Sequence, residues 1–497
     1  MKNKQLVEQF FNHRKKINAL KLALSTMYYD MYTIAPKKGN LYRQEMMALL
    51  STQAFMLSQD KAYIEWTKTI NKTTQDADLK RETDLILKKY NKTKNVSEEL
   101  MMTFNIEQMK ANDIWEEAKE TNNYQLFEPQ LKKLIDLTKE VVSTIQPKVN
   151  SVYESLLDDY EEGLTIETLD YFFNILEERL VPFIQKVNEA NLVEPEFLSR
   201  SVSIDQQKKI TQLLRDYMGF NNDFSVVAET EHPFSSTLSI NDTRITTHYH
   251  ENLFTSNIFS VIHEFGHSFY NHQVDQKYEG WVIGDAMSMG MHESQSRFLE
   301  NNIGRSKSFW VPIYDQLKEL AQEALYDVDL DEFIRGINYP QLSLIRIEAD
   351  ELTYALHVLV RYRLEQKMFV DNETDNLNDL WNQQYQQILG ITPDSDTNGI
   401  LQDVHWSGAS FGYFPTYALG SAYAAQFYQA MNQEFDVNQA LEDQDFNKIK
   451  TWLKENIHQT GGFYNSNEML LRVTNKAFDP HIFCDYLINK YTKLFNL

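Results

Sequence analysis

Five consecutive residues concentrate the chemistry of this 497-residue chain: His263-Glu264-Phe265-Gly266-His267. Histidines four apart on a helix lie on one face, one turn apart, where both imidazoles can hold the same metal ion. Glu264 is rotated by roughly 100° from His263. It can therefore flank the metal without ligating it and take a proton from water. The pattern implies a metal-dependent peptidase, with the bond it cuts unspecified.

A catalytic metal needs a third protein ligand and an open position. Glu293, in Met291-His292-Glu293-Ser294-Gln295, is the first candidate, and Asp285 and His292 compete with it. Spacing alone leaves the three open, because carboxylates on helices are usually solvated. His292 points about 100° away from Glu293 on a helix, which suits a supporting role better. Arg346 and Arg244 can each bind a substrate carboxylate bidentately, although for each a structural ion pair is the more ordinary reading. Tyr417, His405 and His232 can donate to the oxyanion of a tetrahedral intermediate, although each is as readily a packed ring. A strand around Thr246 can pair with a peptide backbone.

These residues need positioning elements. Seven of the twelve histidines fall between His232 and His292, and the first 220 residues hold only His13. The chemistry thus sits in the second half, with the first half as scaffold and groove wall. From Lys4 to about Gly219 helical patterns follow one another, among them Leu41 to Gln59, Phe127 to Val152 with Pro147 as kink or boundary, and Thr165 to Glu189. Asp223 to His250 reads as a small antiparallel sheet with a turn at Asn241-Asp242. Helices resume from Thr255 or Ser256, as cap, to about Val274, then from Asp285 to Asn301 closed by Gly304, from Ala349 to Phe369, and from Thr416 after an aromatic, Gly-rich loop.

Composition agrees with a mainly helical globular protein: 16 glycines and 11 prolines are few helix breakers for this length, and 42% of residues are hydrophobic. The formal charge of −23 repels phosphate backbones and anionic membranes, so neither nucleic acid nor membrane is an expected partner. A single cysteine, Cys484, excludes an intrachain disulfide and a thiolate zinc site. No secretory signal and no spanning segment are apparent, which fits a cytoplasmic location.

Six segments together resemble the carboxypeptidase Taq (thermostable carboxypeptidase 1) family. They are His232-Pro233-Phe234, Asp242 to Thr246, His263 to His267, His292-Glu293-Ser294-Gln295, Ile345 to Asp350, and Gly399 to Trp406, in the family's order. The turn Gly280-Trp281-Val282-Ile283 departs from the family by lacking a proline. The resemblance implies release of single C-terminal residues from peptides with broad preference. It implies a metal on His263, His267 and Glu293, with Glu264 as general base and then general acid. Zinc is the expected ion, with cobalt or manganese accepted. It also implies a single catalytic domain over 1–497, two-lobed and mainly helical around a deep closed-ended groove, with a small sheet near the active site, and a homodimer. Residues 1–220 would supply scaffold and wall, and 221–497 the site. The competing functions are an oligopeptidase or dipeptidyl carboxypeptidase of related fold, and a peptide-binding protein without turnover.

Overall fold

The structure, a computed structural model, describes residues 2–145, 148–190, 192–285 and 287–497, with side chains from Lys4 onward. The expected boundary at Pro147 lies outside the described residues.

Helices fill the first half: α1 (Lys2–Thr33), α2 (Asn40–Ser58), α3 (Lys61–Thr73), α4 (Ala77–Thr93), α5 (Glu98–Glu120), α6 (Tyr124–Ser143), α7 (Val152–Tyr160), α8 (Ile166–Glu189) and α9 (Ile204–Met218). Local chemistry marks their ends. Asp60, Asp76, Ser97, Ser151 and Thr165 each accept a hydrogen bond from a backbone N–H in the first turn of α3, α4, α5, α7 and α8. Ser203 and Gln206 form a capping box on α9, which Gly219 ends at φ 75°. The segment read as Phe127 to Val152 is two helices, because Ser151 caps a new one at Val152.

The sheet has order β1-β3-β2, from β1 (Ser225–Glu229), β2 (Ser235–Ser239) and β3 (Asp242–Thr247). It is mixed rather than antiparallel. The chain makes the β2–β3 hairpin and inserts β3 between its neighbours, so β3 runs parallel to β1 and antiparallel to β2. Sequence reading missed β2, whose three serines lack the strand-forming signature of its partners.

The helices that carry the candidate ligands are α10 (Phe254–His272) and α11 (Met289–Arg297), the latter continuing as a π-helical turn over Phe298–Gly304. Neither Thr255 nor Ser256 caps α10, whose cap position is Leu253 with no side-chain bond. The second helix starts at Met289 instead of Asp285, capped by Ser288. Short helices α12 (Lys307–Trp310), α13 (Tyr314–Leu320), α14 (Gln322–Leu325) and α15 (Leu330–Ile337) lead to α16 (Tyr354–Gln366) and α17 (Leu377–Leu389). α16 starts later than Ala349 because the Asp350 carboxylate takes the Leu352 and Thr353 N–H groups. The chain closes with α18 (Pro415–Glu434), α19 (Val437–Glu442), α20 (Phe446–Asn456), α21 (Ser466–Thr474) and α22 (Pro480–Phe495).

One large core joins α5 through α22, with α18 buried along most of its length by Ala418, Gly420, Ala422, Ala424 and Ala425. Such small residues let neighbouring helices approach closely. A second, smaller core of Phe10, Ile17, Tyr63, Ile64, Ile70 and Leu79 binds α1, α3 and α4 to each other. No helix of the described residues is long and apolar enough to cross a membrane.

Candidate active site

α10 and α11 cross where α10 carries Gly266. A Cβ there would lie 2.4 Å from the Gln295 carbonyl oxygen and 2.5 Å from Ser296 Cα. Only glycine permits this contact, and it sets the HEFGH turn directly on the helix bearing Glu293. From the other side, a Cβ at Gly420 of α18 would lie 2.6 Å from Glu293 Cγ. The Glu293 side chain is thus fixed between two helices before any ion binds.

The result is a three-sided ligand set. His263 Nε2 lies 3.7 Å and His267 Nε2 3.6 Å from Glu293 Oε2. All three ligand atoms fall within 4.8 Å of one another. Two imidazole nitrogens and one carboxylate oxygen at this spacing fit a divalent ion of the zinc type with room for water. Asp285 is outside the set: it is exposed and faces Lys21 and Glu82 near the N-terminal helices. His292 stacks on His267, ring centroids 4.2 Å apart, and its Nε2 is 3.2 Å from Asn271 Nδ2. Burial holds the His292 pKa down at about 4, so the ring stays neutral.

A layer of charge supports these ligands. His263 Nδ1–H donates to Glu300 Oε2 at 2.8 Å, which turns Nε2 toward Glu293. Arg297 Nε donates to Glu293 Oε1 at 2.8 Å, and its Nη1 to Glu300 Oε2 at 3.1 Å. Burial opposes the Glu300 charge, but Arg297, His263 and Arg305 hold its carboxyl well below the usual carboxylate range. Sequence reading missed Arg297 and Glu300. A signal was present, since they follow Glu293 by four and seven residues and so share its helix face.

Glu264 is buried, and Ser235 Oγ of β2 donates to its Oε2 at 2.5 Å. Burial pushes the Glu264 carboxyl above its ordinary pKa, with His263 and the Ser235 hydrogen bond pulling the other way. Ser235 was also missed, because its role depends on a strand that the sequence hid.

The two late motifs meet in space. Arg346 Nε and Nη2 donate to Asp403 Oδ1 at 3.1 and 2.8 Å, and Nη1 donates to the Tyr354 hydroxyl at 2.9 Å. Arg361, which is fully buried, donates to Asp403 Oδ2 at 2.8 Å. Two guanidinium groups on one carboxylate leave a surplus positive charge. Tyr417 lies against Arg346, 4.9 Å from ring centroid to guanidinium carbon, and its hydroxyl is 3.3 Å from His405 Nε2. Burial raises the Tyr417 pKa far above normal and lowers that of His405 to about 4, so the phenol keeps its proton and the imidazole is neutral. Tyr417 stands one turn before Gly420 on α18, hence beside the Glu293 helix, and Tyr413 packs on it at 5.2 Å. Arg297 stands 4.4 Å from the Tyr354 ring centroid, which links the ligand layer to Arg346.

The other candidates are placed differently. Arg244 donates twice to Asp242, at 2.9 and 2.8 Å, and stands over Tyr29 of α1. His232 is exposed on the loop that leads into β2. Thr246 cannot pair with a peptide. It is buried on the central strand, flanked by β1 and β2, and its Oγ1 accepts from Thr230 Oγ1 and the Phe234 N–H.

Comparison with known proteins matches this arrangement to one family. The sequence profile described as carboxypeptidase Taq (M32) metallopeptidase matches residues 9–491. The chain is 38% identical to carboxypeptidase 1 of Bacillus subtilis over 99% of both chains. It is 32% identical to thermostable carboxypeptidase 1 of Thermus thermophilus over 94% of both. The crystal structure of an M32 carboxypeptidase from Deinococcus radiodurans superposes with TM-score 0.96 at 28% identity, covering 99% of this chain and 100% of that one.

Proposed function

The chain belongs to the carboxypeptidase Taq (M32) family of metallopeptidases, and from that premise we propose how this metal-dependent carboxypeptidase uses the residues of its site. The observation that carries the proposal is the triad His263, His267 and Glu293 within 4.8 Å, with Glu264 beside it. His263, His267 and Glu293 would hold a divalent ion, which when bound would supply Lewis acidity. Glu264, poised by burial and held by Ser235, removes the proton of the water and returns it to the leaving amine. Tyr417 donates its hydroxyl proton in a hydrogen bond to the developing oxyanion, and neutral His405 orients that hydroxyl. His232 is the alternative donor, with its exposed ring before β2.

Arg346, one of two cations on Asp403, takes the terminal carboxylate of the substrate. Arg244 is the second choice, since Asp242 already neutralises it. The peptide backbone pairs with β2, an edge strand next to Glu264. Single residues leave the C-terminus because a closed-ended groove admits only a chain end. Zinc is the ion we assign, with cobalt or manganese as substitutes, since one carboxylate and two imidazoles accept all three. The described chain forms a single catalytic domain and works as a homodimer in the cytoplasm. A second copy would cover Leu41, Tyr42, Leu49 and Met56, all exposed on α2.

Metal analysis of the purified protein, paired with mass spectrometry of an unstructured peptide during digestion, tests the reading. Stoichiometric zinc and a ladder losing one C-terminal residue at a time are expected. Internal fragments or released dipeptides would favour the oligopeptidase alternative, and size-exclusion chromatography with light scattering checks the dimer.

A further inference from the structure

A cleft of about 610 Å³ opens between α10, α20 and the β2–β3 turn. It lies away from the metal. Phe269 and His272, which line it, are rotated by roughly 200° and 140° from His267 around α10. No step of peptide hydrolysis uses it.

Its walls carry positive charge in a chain whose formal charge is −23. Lys450 and Lys454 stand four apart on α20, one turn apart on one face, and both line the cleft. Among the described residues neither has a carboxylate partner. Lys450 Nζ lies against Gly219, where a Cβ would meet it at 2.5 Å. The C-terminal end of α9 thus offsets part of its charge. Both lysines act electrostatically on His272, which is kept neutral mainly by burial. The Nδ1–H of His272 donates to the Ile240 carbonyl at 2.9 Å, and Nε2 remains as an acceptor. The one acid in the lining, Asp275, spends its Oδ1 on the Lys277 N–H at 3.0 Å.

The floor is aromatic. Phe224 stacks on His272 with centroids 3.8 Å apart and planes 7° apart, and the Phe269 ring lies 5.5 Å from Lys450 Nζ. A flat apolar body can rest on this floor while an anionic group reaches both lysines.

We propose that this cleft binds a small phosphate-bearing ligand with a flat organic body, of the nucleoside monophosphate class, its phosphate between Lys450 and Lys454 and its body on Phe224 and His272. Calorimetric titration of the metal-loaded enzyme with AMP and, separately, with inorganic phosphate tests this at constant ionic strength. Saturable AMP binding is expected, with phosphate at least about tenfold weaker, since a tenfold step is about 1.4 kcal/mol of contact from the organic body. The double variant Lys450→Gln/Lys454→Gln should lose AMP binding and keep the kcat/KM for peptide of the unaltered enzyme, which also certifies its fold. No saturable heat with AMP, or AMP binding that survives in the double variant, overturns the proposal. Phosphate that binds as tightly as AMP overturns the role of the aromatic floor.

Discussion

Around Gly266, two helices meet backbone to backbone, whereas around Gly39 nothing lies within 4 Å of where a Cβ would stand. The contrast extends to the regions that hold them. In the metal layer, α10, α11 and α18 pack through glycine and alanine, and Arg297 and Glu300 beside the candidate ligands are paired with each other. Helices α1, α3 and α4 share a small core of their own and meet the rest through Phe11 on Trp281, ring centroids 4.8 Å apart, and through a polar seam. There Arg14 and Asn18 donate to the Gly280 carbonyl at 3.0 and 2.6 Å, the Ile283 N–H donates to Glu82 at 3.0 Å, and Arg81 pairs with Glu162 at 2.6 Å. Close packing fixes ligand geometry to fractions of an ångström, which catalysis demands. A seam of partly solvated ion pairs is worth less per contact and can open at lower cost. The molecule is therefore held more tightly around the candidate metal ligands than at the seam of the N-terminal helices.

The most drastic way to break this contrast is a single methyl group. Gly266→Ala must part α10 from α11, an overpacking penalty of about 1–3 kcal/mol or more. We expect it to abolish stoichiometric metal binding and peptidase activity and to lower Tm. Gly39→Ala should leave all three unchanged. Normal metal content in Gly266→Ala would show that the ligand layer tolerates displacement after all. The next comparison uses two buried glutamates. Glu264→Gln should lower kcat about 10²–10⁴-fold while metal stays bound. Glu82→Gln should leave kcat near that of the unaltered enzyme and lower Tm, because Arg14 loses the carboxylate 3.4 Å away. A peptide-binding protein without turnover would show no kcat for Glu264→Gln to lose.

A smaller effect sharpens the role of Arg297. Because it holds Glu293 directly and His263 through Glu300, Arg297→Met should weaken metal affinity about 10–100-fold, read by competition with a chelator. Arg81→Met, which cuts an ion pair of the seam, should leave metal affinity unaltered. Equal metal affinity in the two variants would reduce Arg297 to a packing role.

How much of this was legible in the sequence also divides by region. The placing of His263 and His267 on one helix face, with Glu264 beside them, was readable because their spacing fixes it. Glu293 needed the family resemblance, since nothing in a helical carboxylate distinguishes ligand from surface until Gly266 and Gly420 are seen to frame it. Arg346 and Asp403 lie far apart in the chain, and the sequence held no sign that Arg361 would share the same carboxylate. The helical class was plain from periodicity and scarce breakers. The sheet was misread as antiparallel because strand order is a tertiary property, and Thr246 was misassigned because its burial on the central strand follows from β2, whose serines are weak strand formers. The seam was invisible for a related reason: surface-type charges paired 70 and 81 residues apart look solvated in sequence.

The finest test of the two regions is the sign of their pH dependence. In the metal-side core, Glu365 of α16 accepts from Trp406, Tyr153 and the Gly412 N–H, with no cation beside it. Burial outweighs these bonds and pushes its carboxyl up to about 7. Between the ordinary value of 4.5 and that value, the folded state holds a proton that the unfolded state has released. Its stabilising contribution is thus complete below pH 4.5 and is lost as pH rises through about 7. At the seam, burial opposes ionisation of Asp158 and Glu162, but Lys88, Lys92 and Arg81 more than compensate and their pKa values fall below normal. Their contribution is present above the ordinary carboxylate range and lost as pH falls through the lowered values. Unfolding free energies measured against pH should therefore show opposite slopes. The difference between the unaltered enzyme and Glu365→Gln should shrink by at most about 3 kcal/mol as pH rises from 4.5 to 7. The difference between the unaltered enzyme and Lys88→Gln should shrink only on acidification below pH 4. If both differences move in the same direction, the buried carboxyl of the core and the paired carboxylates of the seam do not sit in the contrasting environments described above.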